Sequence, residues 1–171
     1  DPTAQVAIGG VIQATPVRLR YLTMIWDSYR SQYGADMPVD VWNVHNFIFR
    51  EDCDRHGASI PPGISCGTTL AVDDVSYDYE HNNMAIFDEQ IRAFREWMKT
   101  RGQQQKPLIV SEYGISYIDW GYEDYNLVRN FMLGSFDYFM NTKDCSLGLA
   151  SDECRLVQRW AWYSLDDNGW W

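Results

Sequence analysis

The strongest constraint on what this chain can become is an alternation. Runs rich in β-branched and aromatic residues take turns with stretches whose apolar residues recur at helical spacing. Residues 5–12, from Gln5 to Ile12 through Gly9 and Gly10, form the first β-rich run. After Thr15-Pro16 a helical face carries Leu22, Ile25, Trp26, Tyr29 and Tyr33 and is stopped by Gly34. Residues 39–47 read as a second strand. A long polar loop, 50–81, separates it from a helix built on Phe87, Ile91, Phe94 and Met98 and ended by Arg101-Gly102. Residues 106–112 are a third strand, followed by a helix over about 125–140 with Val128, Phe131, Met132, Phe136 and Phe139 inward. A fourth run, 159–165, breaks at Asp166-Asp167-Asn168-Gly169. The order β-α-β-α-β-α-β predicts an α/β fold with a parallel sheet and right-handed crossovers.

Four strands and three helices do not close a barrel, since an eightfold barrel takes about 250 residues. The chain starts just before a strand and ends just after another. It is therefore read as one α/β domain over 1–171 that forms part of a larger one. Two open sheet edges are expected to pair with a second copy or with the missing half.

Within this order the third strand carries the most telling residue. Lys106-Pro107-Leu108-Ile109-Val110 is apolar after its proline, as a strand buried on both faces would be, and it ends in Ser111-Glu112-Tyr113-Gly114. A carboxylate at the C-terminal lip of a parallel strand lies where α/β barrels collect reacting groups. The simpler alternative is an edge strand ending in a solvated acid.

Charge and composition narrow the ligand. A net charge of −10 with no run of Lys or Arg argues against nucleic acid. No stretch of eighteen apolar residues is present to cross a bilayer. Aromatics make up 15%, including 8 Trp and 11 Tyr, and flat rings suit the CH faces of sugars as well as cores. The expected ligand is neutral. Cys53 with Cys66 and Cys145 with Cys154 lack zinc spacing and bracket polar loops, so two local disulfides and an oxidising, extracellular setting are expected, against free thiols in a cytosolic protein.

The strand ends, taken together, carry a resemblance: His45-Asn46 after the second run, Glu112-Tyr113-Gly114 after the third, Trp162 in the fourth. The chain resembles the C-terminal half of a (β/α)8 retaining glycoside hydrolase of the large clan of cellulases, mannanases and β-xylosidases. The resemblance implies that the four runs are strands five to eight of the barrel. It makes Glu112 the nucleophile, His45, Asn46 and Tyr113 neighbours of the reacting sugar and Trp162 a sugar platform; Trp120, in the loop after Glu112, is a candidate subsite wall against the commoner reading of ordinary loop packing. It implies hydrolysis of β-linked polysaccharide with a carbohydrate substrate, no cofactor and no metal. The departure is that no Asn-Glu dipeptide supplies the clan's acid/base.

Such chemistry needs two carboxyl groups, about 5–5.5 Å apart for retention or roughly 6.5–9.5 Å for inversion. Glu51, Asp52, Asp119, Asp166 and Asp167 follow strand ends and are the candidates within this chain, although paired acids after a strand are commonly turn formers. The acidic loop 73–80 lacks EF-hand spacing and reads as solvated. Two rivals stand beside a glycosidase: a non-catalytic carbohydrate-binding protein, and an α/β barrel of other chemistry with Glu112 as general base.

Overall fold

The computed structural model describes residues 3–55, 57–115 and 124–164. Three helices and three strands alternate: α1 (Pro16–Tyr33), β1 (Trp42–His45), α2 (Met84–Lys99), β2 (Leu108–Tyr113), α3 (Tyr125–Asn141) and β3 (Arg159–Trp162). The strands form one parallel sheet in the order β1-β2-β3, so the α/β alternation read from the sequence holds for this part.

The expected first strand over 5–12 does not form as a regular strand. The segment runs parallel to β1 but touches it through a single bridge, Ala7 with Val41, and scattered bonds, among them His45 N–H to Val11 O at 2.8 Å. Gly9 and Gly10 supply no side chains to pack at its centre, and that weakens a strand.

Local chemistry sets the helix ends. Pro16 opens α1, and Gly34, at φ 67°, closes it by donating its N–H to Arg30 O. Asn83 caps α2 by accepting from the Ala85 and Ile86 amides, and Asp124 caps α3 by accepting from Asn126. The inward face of α1 is Val17, Arg18, Leu22 and Trp26. Tyr33 lies outside it, exposed, with its ring 4.5 Å from that of Tyr29.

One face of the sheet meets the helices. Trp42 and Val44 of β1 and Leu108, Val110 and Tyr113 of β2 are buried there with Phe87, Ile91, Phe94 and Met98 of α2. Trp42 sits among Trp26, Phe94 and Trp97 at centroid distances of 5.0–6.4 Å. Burying each such ring stabilises by about 1.5–3 kcal/mol. Buried Arg95 ties α2 to the strand starts by donating to Leu156 O, Lys106 O and Gln158 Oε1. Burial lowers its pKa to about 10.

Loop 50–81 is pinned by the Cys53–Cys66 disulfide, and Cys145–Cys154 closes the second loop, so both expected pairings are present. The acidic stretch is occupied by cations. Arg55 donates to Asp78 at 2.7 Å, and Arg50 lies 3.6 Å from Asp78 and 3.7 Å from Asp73. No group of three or more His, Cys, Asp and Glu suited to a metal ion occurs among the described residues. Among them, too, no helix is long and apolar enough to cross a membrane.

His81, at the end of this loop, is 2% exposed and its ring packs edge-on to Phe49. Burial pushes its pKa down to about 4, against a smaller opposing pull from Asp78. The folded protein therefore holds a neutral imidazole where the unfolded chain binds a proton. Stability is full above pH 6.5 and falls as pH drops towards 4, by up to about 3 kcal/mol. Urea melts at pH 7 and pH 4.5 should show this loss in the wild type and a much smaller one in His81→Gln. An equal loss in both would remove His81 as its source.

Candidate active site

An extra residue in β2 creates the site. The pairing of β2 with both neighbours slips between Val110 and Tyr113: Val44 faces Val110 while His45 faces Glu112, and Trp160 faces Val110 while Trp162 faces Tyr113. Strict alternation would send Glu112 to the helix side with Leu108 and Val110. The bulge at Ser111–Glu112 instead returns Tyr113 to the core and leaves Glu112 on the uncovered face.

His45 of β1 arrives on that same face. Its Nε2 lies 3.6 Å from Glu112 Oε1, with side-chain exposures of 21% and 42%. At this separation the pair is in near contact rather than hydrogen-bonded. Burial lowers the His45 pKa, and the nearby Glu112 carboxylate offsets part of that. His45 is thus a neutral imidazole at pH 7. It can present an N–H to Glu112 without neutralising it, and such bonds often tighten only when a substrate is bound.

The two side chains open onto a cleft of about 420 Å³ at the C-terminal ends of β1 and β2. Open parallel sheets place ligand sites at this end. The walls are Phe47, Phe49, Tyr163 and Arg18. Phe47 stacks on Phe49 with centroids 5.3 Å apart and meets Tyr163 edge-on at 6.4 Å.

Two glycines make room. A Cβ on Gly10 would stand 2.6 Å from His45 Cδ2, so only glycine lets that ring lie where it does. A Cβ on Gly114 would stand 2.1 Å from Tyr163 O. The glycine of Ser-Glu-Tyr-Gly is therefore the point where the chain leaving β3 crosses the end of β2.

Of the residues expected at the site, Glu112 and His45 are together. Asn46 is not with them: it is 1% exposed and its amide donates to Phe87 O at 3.2 Å, on the helix side. Tyr113 is also turned away, fully buried, with its hydroxyl 3.2 Å from Ser135 Oγ. Burial raises the pKa of that phenol. Trp162 packs on Tyr113 at 5.3 Å and on Phe131 at 6.0 Å, so the aromatic wall is Tyr163 with the Phe47–Phe49 pair. Trp120, Asp119, Asp166 and Asp167 lie outside the described residues.

Glu51 is no second acid. It is fully buried and accepts from Thr15 Oγ1 at 2.6 Å, Arg18 Nε at 2.9 Å and the Val72 amide at 3.2 Å. Asp52 is exposed, accepts from the Cys53 amide, and does not line the cleft. Among the described residues Glu112 is the one carboxylate in the cleft wall. Compared with family models, with curated proteins and with solved structures, the chain matches none.

Proposed function

We propose that this chain carries the nucleophile half of a secreted retaining glycoside hydrolase that cleaves a β-linked polysaccharide. The observation that carries this reading is the β2 bulge, which sets Glu112 beside neutral His45 in an aromatic-walled cleft at the C-terminal sheet ends. In the proposed reaction Glu112 attacks the anomeric carbon as a carboxylate while His45 holds it in line. A water then hydrolyses the glycosyl ester. Half-buried Tyr163 and Phe49, the latter backed by buried Phe47, are the rings placed for sugar stacking. The acid/base carboxyl would come from outside the described residues.

The proposed architecture is half of a (β/α)8 barrel. Its support is the parallel order 5–12, β1, β2, β3, with helices on one face and, among the described residues, no helix on the other. That face forms a trough of about 580 Å³ with Ile109, Ser111, Leu149, Arg155, Arg159 and Ala161 among its walls. A partly apolar face and a β3 edge left uncovered by the described residues favour a further polypeptide lying against them. The 20.0 kDa chain should therefore scatter light as a dimer or larger. A monodisperse monomer at micromolar concentration would defeat this part of the reading. The two disulfides fit an oxidising, extracellular setting.

A cleft with a single described carboxylate also fits a non-catalytic sugar-binding protein. Covalent labelling of Glu112 by an activated aryl 2-deoxy-2-fluoroglycoside separates the two. A glycosidase is labelled there, whereas a binding protein is occupied without label.

A further inference from the structure

Among the described residues Arg18 is the one Lys or Arg in the cleft wall, and its head is fixed by the protein. Nε donates to buried Glu51 at 2.9 Å and Nη2 donates to Ser59 O at 2.7 Å. Thr15 Oγ1 donates to the same Glu51 oxygen, and the Val72 amide donates to the other. The side edge of the guanidinium is thus committed to the protein. The end edge, with Nη1, has no partner among the described residues and is left for a ligand.

We infer that Arg18 is a specificity-determining residue whose free edge takes two adjacent oxygens of a neutral sugar. This deepens the glycosidase reading above and rests on it. The planar fork offers two parallel N–H donors, a geometry that suits vicinal hydroxyls or a carboxylate. Charge decides between them. The cation of Arg18 is balanced at 2.9 Å by Glu51, so the pair presents donors with little net charge. Among the described residues Glu112 remains as the cleft charge with no Lys or Arg paired to it. A uronate would have to enter against it, and a neutral hexose or pentose would not. Glu51 thus keeps the fork rigid while removing its attraction for anions.

The inference is tested by binding, which needs no turnover. Neutral β-linked oligosaccharides and their uronate-bearing counterparts are titrated against the wild type, Arg18→Lys and the paired variant Arg18→Met/Glu51→Leu, with calorimetry or tryptophan fluorescence as the readout. Arg18→Lys retains a cation for Glu51 but loses the fork, and the paired variant removes both charges so that neither is stranded. Thermal melts establish that each variant is folded. The wild type should prefer the neutral ligand, and both variants should bind it about tenfold to hundredfold more weakly, the range of a hydrogen bond to a charged group. A neutral analogue lacking one of the two hydroxyls should lose that much affinity for the wild type and little for the variants. Preference for the uronate, or neutral-sugar binding unchanged in folded variants, overturns the assignment of Arg18 alone. Failure of the wild type to bind any of these sugars overturns the glycosidase reading with it.

Discussion

Glu112→Gln should abolish covalent capture of an activated aryl 2-deoxy-2-fluoroglycoside and lower turnover of an aryl β-glycoside by about 10⁴-fold or more, the scale seen when a nucleophile is removed. The probe is chosen for its leaving group. A dinitrophenolate departs without being protonated, so the first half-reaction needs the nucleophile and no general acid. Fluorine at C2 then slows hydrolysis of the glycosyl ester enough for it to accumulate. A single carboxylate in the cleft therefore suffices for the label even where it does not suffice for turnover of a natural glycan. Intact-mass measurement should show one added glycosyl unit per chain, and peptide mapping should place it on Glu112. Glutamine keeps the shape of the side chain and its position on the bulge, so the variant should melt like the wild type. A label on another residue, or one that survives Glu112→Gln, would end the case for Glu112 as nucleophile.

The bulge also marks where the sequence stopped being legible. The three helices are readable because their cues are local: Pro16 and Gly34 around α1, Arg101-Gly102 after α2, and apolar residues at helical spacing in all three. The two cysteine pairs were readable for the same reason, since their separations of 13 and 9 residues close short loops. The side on which each strand residue lies was not readable past Val110. One extra residue reverses parity, and Ser111-Glu112 looks like any polar strand end. Trp162, a sugar platform by the resemblance, instead shares the helix-side face of Trp160 and lies on Tyr113, while its neighbour Tyr163 lines the cleft. Glu51 was misread because its partners are distant in sequence, Arg18 by 33 residues and Thr15 by 36. Nothing in the sequence singles out Phe47 and Phe49, and only the cleft's shape shows them as a wall.

That same Glu51 gives the second large effect, this time on stability. Glu51→Gln should lower the free energy of unfolding by about 3–5 kcal/mol, because it leaves the Arg18 guanidinium buried without a counter-charge. Its carboxylate takes donors from three places: Thr15 before α1, Arg18 in its first turn, and Val72 in the disulfide loop. A neutral amide can accept at one atom only and turns an N–H₂ towards the others, so at least one donor is stranded. For a chain of this size the loss corresponds to a drop in Tm of roughly 6–20 °C. The paired variant Arg18→Met/Glu51→Leu should recover most of it, since neither charge is then stranded and apolar volume fills the gap. The difference between the single and paired changes measures the coupling directly. If Glu51→Gln costs less than about 1 kcal/mol, the pair is hydrated rather than buried. Arg18 would then not be held rigid at the cleft wall, and the fork proposed to read the sugar would lose its anchor.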